Sequence, residues 1–129
     1  MRILLDTHIA LWVAEGASQL SARAIEIVEQ ADTTLFVSAA AIWEIAIKYA
    51  RGNLPIHPRD ARAAFQLAGF VELPISSAHA EGVANLPLYA DHADPFDRIM
   101  VAQAFSETMP LLTADPKLWR YHPTLIMPA

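Results

Sequence analysis

The chain has no cysteine, which excludes disulfide bonds and metal sites built from thiolates. It also lacks a long uncharged apolar run, because the most apolar stretch, residues 39–50, contains Glu44 and Lys48 and is too short and too charged to span a bilayer. Asp6 interrupts the apolar start of the chain, which argues against a signal peptide. Charged residues make up only 18% of the 129 residues and apolar residues 54%, which is typical of a globular domain with a sizeable core. We therefore expect one soluble domain, residues 1–129, in the cytoplasm.

Positive charge is scarce as well: nine Lys and Arg stand against fourteen Asp and Glu, and the formal net charge is −5. A simple basic surface for nucleic acid is therefore not expected, because contacts with phosphates need Lys and Arg. That objection weakens if several acids lie together and hold divalent cations, because the bound ions would offset the negative charge.

Five short apolar runs predict β-strands that are buried on both faces of a parallel sheet, because the runs are continuous and not alternating. Between them, apolar residues recur at helical spacing after Ser21 and Ser38, each a suitable N-cap, and Pro95 suits the first turn of a long helix. Strands that alternate with helices predict an α/β fold with a mainly parallel sheet of about five strands. The predicted strands are 3–5, 34–37, 70–73, 111–113 and 125–127, and two shorter helices are predicted at 59–67 and 77–85.

Two acids follow predicted strands. Asp6 comes directly after the strand at 3–5, and Asp115 comes shortly after the strand at 111–113. The carboxyl ends of parallel strands meet at one edge of a sheet, so we expect these two side chains at the same edge. For either residue alone, helix capping is the better explanation, because Asp is a preferred N-cap where a strand turns into a helix.

Three further acids, Asp91, Asp94 and Asp97, are spaced three residues apart around the start of the helix that Pro95 opens. The helix dipole favours acids at this position, but one helix start does not need three of them. We therefore expect a bound cation to balance some of this negative charge.

Glu44 lies inside the most apolar predicted helix, where an unpaired carboxylate would cost free energy. Lys48, four residues later, would make a favourable ion pair with it. A metal ion is the alternative partner, and the sequence leaves both open. Counting Glu44, four separate segments each deliver a carboxylate, and an all-oxygen ligand set selects hard cations, so Mg²⁺ or Mn²⁺ is the expected guest.

Four motifs, taken in order, resemble those of PIN-domain ribonucleases, and within them the VapC-like toxins of bacterial type II toxin–antitoxin modules. The resemblance covers essentially the whole chain, and the third motif is the most specific. The motifs are residues 4–8 (LLDTH), Ser38 through 43–45 (WEI), 92–98 (HADPFDR) and 112–115 (LTAD).

The resemblance implies a three-layer α/β/α fold with an acidic pocket in which four carboxylates bind Mg²⁺, with Mn²⁺ as a substitute. Asp94 belongs to the subgroup's motif and is either a further ligand or a helix cap. The implied reaction is hydrolysis of an RNA phosphodiester without a covalent nucleophile. The implied partners are RNA, a VapB-like antitoxin and a second copy of the chain in a homodimer, with no membrane involved. The four implied catalytic and metal-binding residues are Asp6, Glu44, Asp97 and Asp115.

Three basic residues are candidates for contacts with RNA phosphates. Lys48 and Arg51 lie four and seven residues after Glu44 and so share its helix face. Arg98 directly follows Asp97, where it either contacts phosphate or balances the nearby acid.

Two hydroxyl groups and two imidazoles also fall within the motifs. Thr7 and Thr113 adjoin strand-end acids, where a hydroxyl serves either a metal-bound water or phosphate, or the local backbone. His8 and His92 are present, but no His-x-x-x-His zinc spacing accompanies them, so we expect most of the histidines in surface or structural roles.

Two other families that begin with a strand and an acid do not fit. A haloacid dehalogenase-type phosphatase needs a second Asp where His8 stands, and a response-regulator receiver needs an acidic pair and a phospho-acceptor Asp, whereas Ser38 follows the second strand. The remaining alternatives are a non-catalytic PIN-like binding module, which would keep the core and lose acids, and a nuclease that acts on DNA.

Overall fold

The structure, a computed structural model, describes residues 1–16 and 18–129. Its strands form one five-stranded sheet in which all neighbours are parallel, as the continuous apolar runs predicted. The predicted strands are confirmed, with their ends shifted by at most one residue. The strands are β1 (Arg2–Leu5), β2 (Thr34–Ser38), β3 (Val71–Leu73), β4 (Leu111–Thr113) and β5 (Ile126–Pro128).

The strand order is β3-β2-β1-β4-β5, so the chain builds outward on one side of β1 and then adds β4 and β5 on the other side. The order therefore reverses between β1 and β4, which pair through Leu4 with Leu111 and Leu5 with Leu112. In open parallel sheets a crevice forms at this switch point, outside the carboxyl ends of the strands, and ligands bind there.

Helices connect the strands. The helix predicted at 77–85 is α-helical only as far as Gly82 and continues as a 3-10 turn, Val83–Asn85. Within residues 1–16 and 18–129, no helix combines the length and the apolar character needed to cross a membrane. The helices are α1 (Thr7–Glu15), α2 (Ala22–Val28), α3 (Ala39–Ala50), α4 (Pro58–Leu67), α5 (Ser77–Gly82), α6 (Pro95–Glu107) and α7 (Pro116–Trp119).

Successive residues of β1 face opposite layers of the molecule, which explains why its apolar run is continuous. Ile3 and Leu5 pack into one core with α1, α3 and α4, where Phe65 is the largest fully buried side chain. Leu4 packs on the other side into a second core with Met100 of α6. These two cores, one on each face of the sheet, confirm the expected three-layer α/β/α fold.

Ser21 and Ser38 cap α2 and α3 as predicted, each accepting a hydrogen bond at 3.0 Å from a backbone N–H of its helix. Helices α1 and α7 are additional to the prediction. Helix α1 is apolar around much of its circumference and shows no clear helical period, and α7 has only four residues. Both begin directly after an acid, Asp6 and Asp115 respectively, so the capping role that the sequence left open is real for both residues.

Candidate metal centre

One cavity of about 230 Å³ opens at the carboxyl edge of the sheet, and it brings together the four acids that the sequence singled out. Two of them, Asp6 and Asp115, follow β1 and β4, the neighbouring strands at which the order reverses. The cavity therefore lies at the switch point where α/β sheets bind ligands. It is lined by Asp6, Thr7, His8, Glu44, Lys48, Asp94, Asp97 and Asp115.

Asp6 is buried and uses both carboxylate oxygens. Its Oδ1 accepts a hydrogen bond from the backbone N–H of Ile9 at 2.9 Å, which caps α1, and its Oδ2 accepts one from the hydroxyl of Thr113. Burial raises the pKa of Asp6, while these two hydrogen bonds act in the opposite direction. Thr113 thus reaches across from β4 to orient the acid that follows β1.

Glu44 is also buried, and the predicted ion pair with Lys48 is present. Its Oε1 accepts a hydrogen bond from the hydroxyl of Thr7 at 2.6 Å, and its Oε2 lies 2.7 Å from the Nζ atom of Lys48. The ion pair with Lys48, one turn later on α3, offsets the cost of burying the carboxylate. Glu44 nevertheless lines the acidic cavity, where its carboxylate can also meet a cation.

Asp97 lies in the first turn of α6, and its carboxylate is only about one-fifth exposed. Burial and then the charge of Asp94 raise its pKa from the usual 3.8 to about 6, although a hydrogen bond from His92 acts in the other direction. Glu44 adds further repulsion. Burial, together with the negative charge of its neighbours, therefore opposes ionisation of Asp97, and a cation bound beside it would favour the ionised form.

Asp94 and Asp115 each cap a helix with one carboxylate oxygen. Asp94 Oδ1 accepts hydrogen bonds from the backbone N–H groups of Phe96 and Asp97, and Asp115 Oδ1 accepts one from Lys117. Both acids line the cavity. Capping and cation binding are thus compatible roles for these two residues.

Asp91, the third acid of the spaced set, is accounted for outside the cavity. Its carboxylate lies 2.6 Å from Nη2 of Arg120, so its negative charge is balanced by an arginine and not by a metal. A hydrogen bond from this guanidinium lowers the pKa of Asp91.

Of the three basic residues predicted to contact phosphate, only Lys48 lines the cavity. Lys48 lines the cavity, whereas Arg51 is the exposed C-cap of α3 and lies outside its lining. Arg98 is buried and donates hydrogen bonds to the carbonyl of Pro87 at 2.9 Å and to the hydroxyl of Tyr121 at 3.1 Å. The structure thus pairs Arg98 with a carbonyl and a hydroxyl and not with an acid, and Arg98 is absent from the lining of the acidic cavity, so its contact with phosphate stays a prediction.

The threonine hydroxyls make contacts with acids that the sequence did not predict, and Thr113 also serves the local backbone, one of its two predicted alternatives. Thr7 and Thr113 donate to the carboxylates of Glu44 and Asp6, so their hydroxyls orient acids instead of pointing to a water or phosphate. Thr113 additionally accepts a hydrogen bond from the backbone N–H of Asp115 at 3.1 Å, which ties the two strand-end acids to one hydroxyl.

His92 is a functional candidate to which the sequence assigned no role. It is buried, and its Nε2 lies 3.2 Å from Oδ2 of Asp97. One ligand atom from each of His92, Asp97 and Asp115 falls within 4.8 Å of the others. Its position in the most specific motif, five residues before Asp97, was the available signal.

One family model matches most of the chain. The model of the PIN domain matches residues 3–122. The chain belongs to the PIN domain family. No curated protein matches it by sequence.

Several solved structures have a fold similar to that of this PIN domain. The VapBC2 complex of Rickettsia felis, bound to a DNA fragment from its promoter, has a TM-score of 0.67 at 13% identity, covering 100% of this chain and 98% of that chain. VapBC-1 of nontypeable Haemophilus influenzae has a TM-score of 0.66 at 17% identity, with 100% and 97% covered. The Mycobacterium tuberculosis toxin VapC20, described as cleaving the sarcin–ricin loop, has a TM-score of 0.59 at 16% identity, with 98% and 99% covered.

Proposed function

We propose that this PIN domain is a Mg²⁺- or Mn²⁺-dependent endoribonuclease and the toxin of a VapBC-type toxin–antitoxin pair. The observation that carries the proposal is the meeting of four acids, from four separate segments of the chain, in one cavity at the switch point of the sheet. Like charges brought together cost free energy unless something positive offsets them, so a purely structural protein has little reason to keep this arrangement.

The residues present fit a hard divalent cation. The donor set is dominated by carboxylate oxygens, which Mg²⁺ and Mn²⁺ prefer, and the chain has no cysteine to favour a softer metal. The raised pKa of Asp97, about 6, is the expected sign of a cavity whose charge balance is completed by a cation. The ligands would be Asp6, Glu44, Asp97 and Asp115, with Asp94 as a further candidate.

The proposed reaction is hydrolysis of an RNA phosphodiester, with products that carry a 5′ phosphate and a 3′ hydroxyl. A bound cation would neutralise charge on the scissile phosphate and the leaving oxygen and would make an attacking water more acidic. Thr7 and Thr113 hold the carboxylates of Glu44 and Asp6 in place. Lys48, on the cavity wall, is positioned to meet a phosphate oxygen, and no covalent nucleophile is needed.

The experiment that tests this function is a cleavage assay with a single-stranded RNA and a DNA of the same sequence, in Mg²⁺, in Mn²⁺ and in EDTA. We expect cleavage of RNA that requires the divalent ion and is largely lost in Asp6→Asn and Asp97→Asn proteins. Asp91→Asn is the matched control, because Asp91 pairs with Arg120 outside the cavity. RNA binding without cleavage would favour the non-catalytic alternative, and preferential cleavage of DNA would replace RNA as substrate.

The proposed partner is a small VapB-like antitoxin, and the proposed assembly is a homodimer in the cytoplasm built from the single domain 1–129. Two large apolar side chains, Trp43 and Tyr49, lie exposed on α3 and offer surface for such contacts. Similar folds in the solved structures named above come from toxin–antitoxin complexes. Co-purification with the product of a neighbouring small gene, followed by measurement of the mass in solution, tests both contacts.

A further inference from the structure

A chain of hydrogen bonds runs through the protein interior and ends on Asp97. Nη1 of Arg98 lies 3.1 Å from the hydroxyl of Tyr121, which lies 2.8 Å from Nδ1 of His92, and Nε2 of His92 lies 3.2 Å from Oδ2 of Asp97. Arg98, Tyr121 and His92 are all buried, so the two inner bonds are shielded from water, and the bond to Asp97 is partly buried.

With Asp97 ionised and His92 neutral, the direction of every bond in the chain is determined. A guanidinium only donates, so the Tyr121 oxygen accepts from Arg98, and an ionised carboxylate only accepts, so Nε2 of His92 carries the proton that faces Asp97. A neutral imidazole then has an unprotonated Nδ1, which accepts from the Tyr121 hydroxyl. Each donor has an acceptor, and only one tautomer of His92 satisfies the whole chain.

The same bonds join two of the elements that carry cavity acids. Asp97 and Arg98 lie in the first turn of α6, and His92 lies in the segment just before it. Tyr121 lies just after α7, the helix that Asp115 caps. The ring of Tyr121 also packs against His92, with ring centroids 5.5 Å apart.

We propose that His92 is a positioning residue for Asp97: backed by Tyr121 and Arg98, its imidazole holds one carboxylate oxygen so that Asp97 is oriented toward the cavity before a cation binds. The inference rests on the proposed metal site and assigns no contact between His92 and the cation. Outer partners of this kind typically change metal affinity by about 10- to 100-fold when they are removed.

Two other roles for His92 make different predictions. A purely structural link between α6 and the segment after α7 would contribute to stability but leave metal affinity unchanged in the folded protein. A direct metal ligand would need an unprotonated Nε2 and hence a proton on Nδ1, the opposite tautomer.

The test compares wild type with Tyr121→Phe, His92→Phe and His92→Gln by calorimetric Mn²⁺ titration, with thermal unfolding of the metal-free proteins measured in parallel. Tyr121→Phe keeps the packed ring and removes only the hydroxyl behind His92. We expect Tyr121→Phe and His92→Phe to weaken Mn²⁺ binding by about 10- to 100-fold, and His92→Gln, whose amide can still donate to Asp97, to recover part of the loss.

Tyr89→Phe is the matched control. The Tyr89 ring packs against Tyr121 at a centroid distance of 5.1 Å, but its hydroxyl points to the carbonyl of Arg120 and is not part of the chain of bonds. Its Mn²⁺ affinity should equal that of wild type.

Unchanged Mn²⁺ affinity in Tyr121→Phe, with lowered stability alone, would overturn the inference even if His92→Phe fails to fold. Nitrogen NMR of the wild-type imidazoles gives a reading independent of metal: His92 protonated on Nε2 supports the inference, and protonation on Nδ1 overturns it.

Failure of the proposed function is separate, because a protein that binds Mn²⁺ with the expected variant effects but cuts no RNA refutes only the nuclease. Absence of Mn²⁺ binding by wild type refutes both.

Discussion

The Nζ atom of Lys48 lies 2.7 Å from Oε2 of Glu44, and both residues line the acidic cavity. The Lys48 side chain is about one-third exposed, whereas the Glu44 side chain is almost fully buried. The lysine therefore supplies positive charge to the same carboxylate that the proposed cation would use. On this arrangement Lys48 competes weakly with the metal for Glu44 and is free to meet a phosphate once the metal is bound.

Replacing Lys48 with Met should separate its competition with the metal for Glu44 from its contact with an RNA phosphate. Mn²⁺ should bind more tightly, by up to about fivefold, because a competing charge worth about 1 kcal/mol or less is removed from Glu44. RNA should bind more weakly, and the slope of log affinity against log salt should fall by about 0.7, the loss of one phosphate contact. Metal titration and RNA binding at several salt concentrations measure these effects. Lys48→Arg should keep the Mn²⁺ affinity and the RNA affinity near wild type. Weaker binding of Mn²⁺ by Lys48→Met would contradict the argument.

Asp97 should make the metal-free protein less stable as the pH rises. Its pKa is raised from 3.8 to about 6, so between these values the folded protein holds the proton more tightly than the unfolded chain, and stability falls as pH rises through that window. Asp97→Asn should therefore be more stable than wild type in EDTA at pH 7.5, by up to about 3 kcal/mol, and should lose this advantage near pH 4.

Urea unfolding at the two pH values checks this stability difference. Asp91→Asn is a control of opposite sign, because the pKa of Asp91 is lowered by Arg120 and its removal should bring no gain at pH 7.5. An identical pH dependence for wild type and Asp97→Asn would show that Asp97 does not carry the shift.

Cation binding should depend on pH through the same group. Because Asp97 must lose its proton to bind a cation, Mn²⁺ affinity should fall by about tenfold for each pH unit below 6, with one proton released per binding event at the low end. Calorimetry in two buffers with different heats of ionisation counts that proton. The dependence should flatten in Asp97→Asn, and a wild-type affinity that does not change between pH 5 and 7 would argue against Asp97 as a ligand.

Thr113 should matter to the chemistry although it lies behind the cavity wall. Thr113→Val removes the hydroxyl that donates to Asp6 and leaves a buried carboxylate with one partner fewer. We expect a loss of stability of about 1 kcal/mol and a loss of Mn²⁺ affinity of about 10- to 100-fold, the range for outer partners of metal ligands. Thr113→Ser retains the hydroxyl and should retain the affinity, and a Val protein with normal Mn²⁺ binding and normal cleavage would remove Thr113 from the site.

The sequence alone determined the parallel sheet and the sheet edge at which the cavity lies. Continuous apolar runs such as 3–5 and 111–113 predict strands buried on both faces, and strands of that kind are parallel. Parallel strands end at one edge, so Asp6 and Asp115 had to meet there once both strands joined the same sheet. The cap signals at Ser21 and Ser38 are equally local, because a cap bonds to a backbone N–H two or three residues away.

Only the tertiary structure decided which way side chains turn and which distant groups they meet. Arg98 follows Asp97 in sequence, yet neighbouring positions on a helix point about 100° apart, so one side chain lines the cavity and the other is buried against Tyr121. The bonds from His92 to Tyr121 and from Thr113 to Asp6 join residues 29 and 107 positions apart. No local period or cap signal records such pairs, because they exist only once the helices and strands have packed.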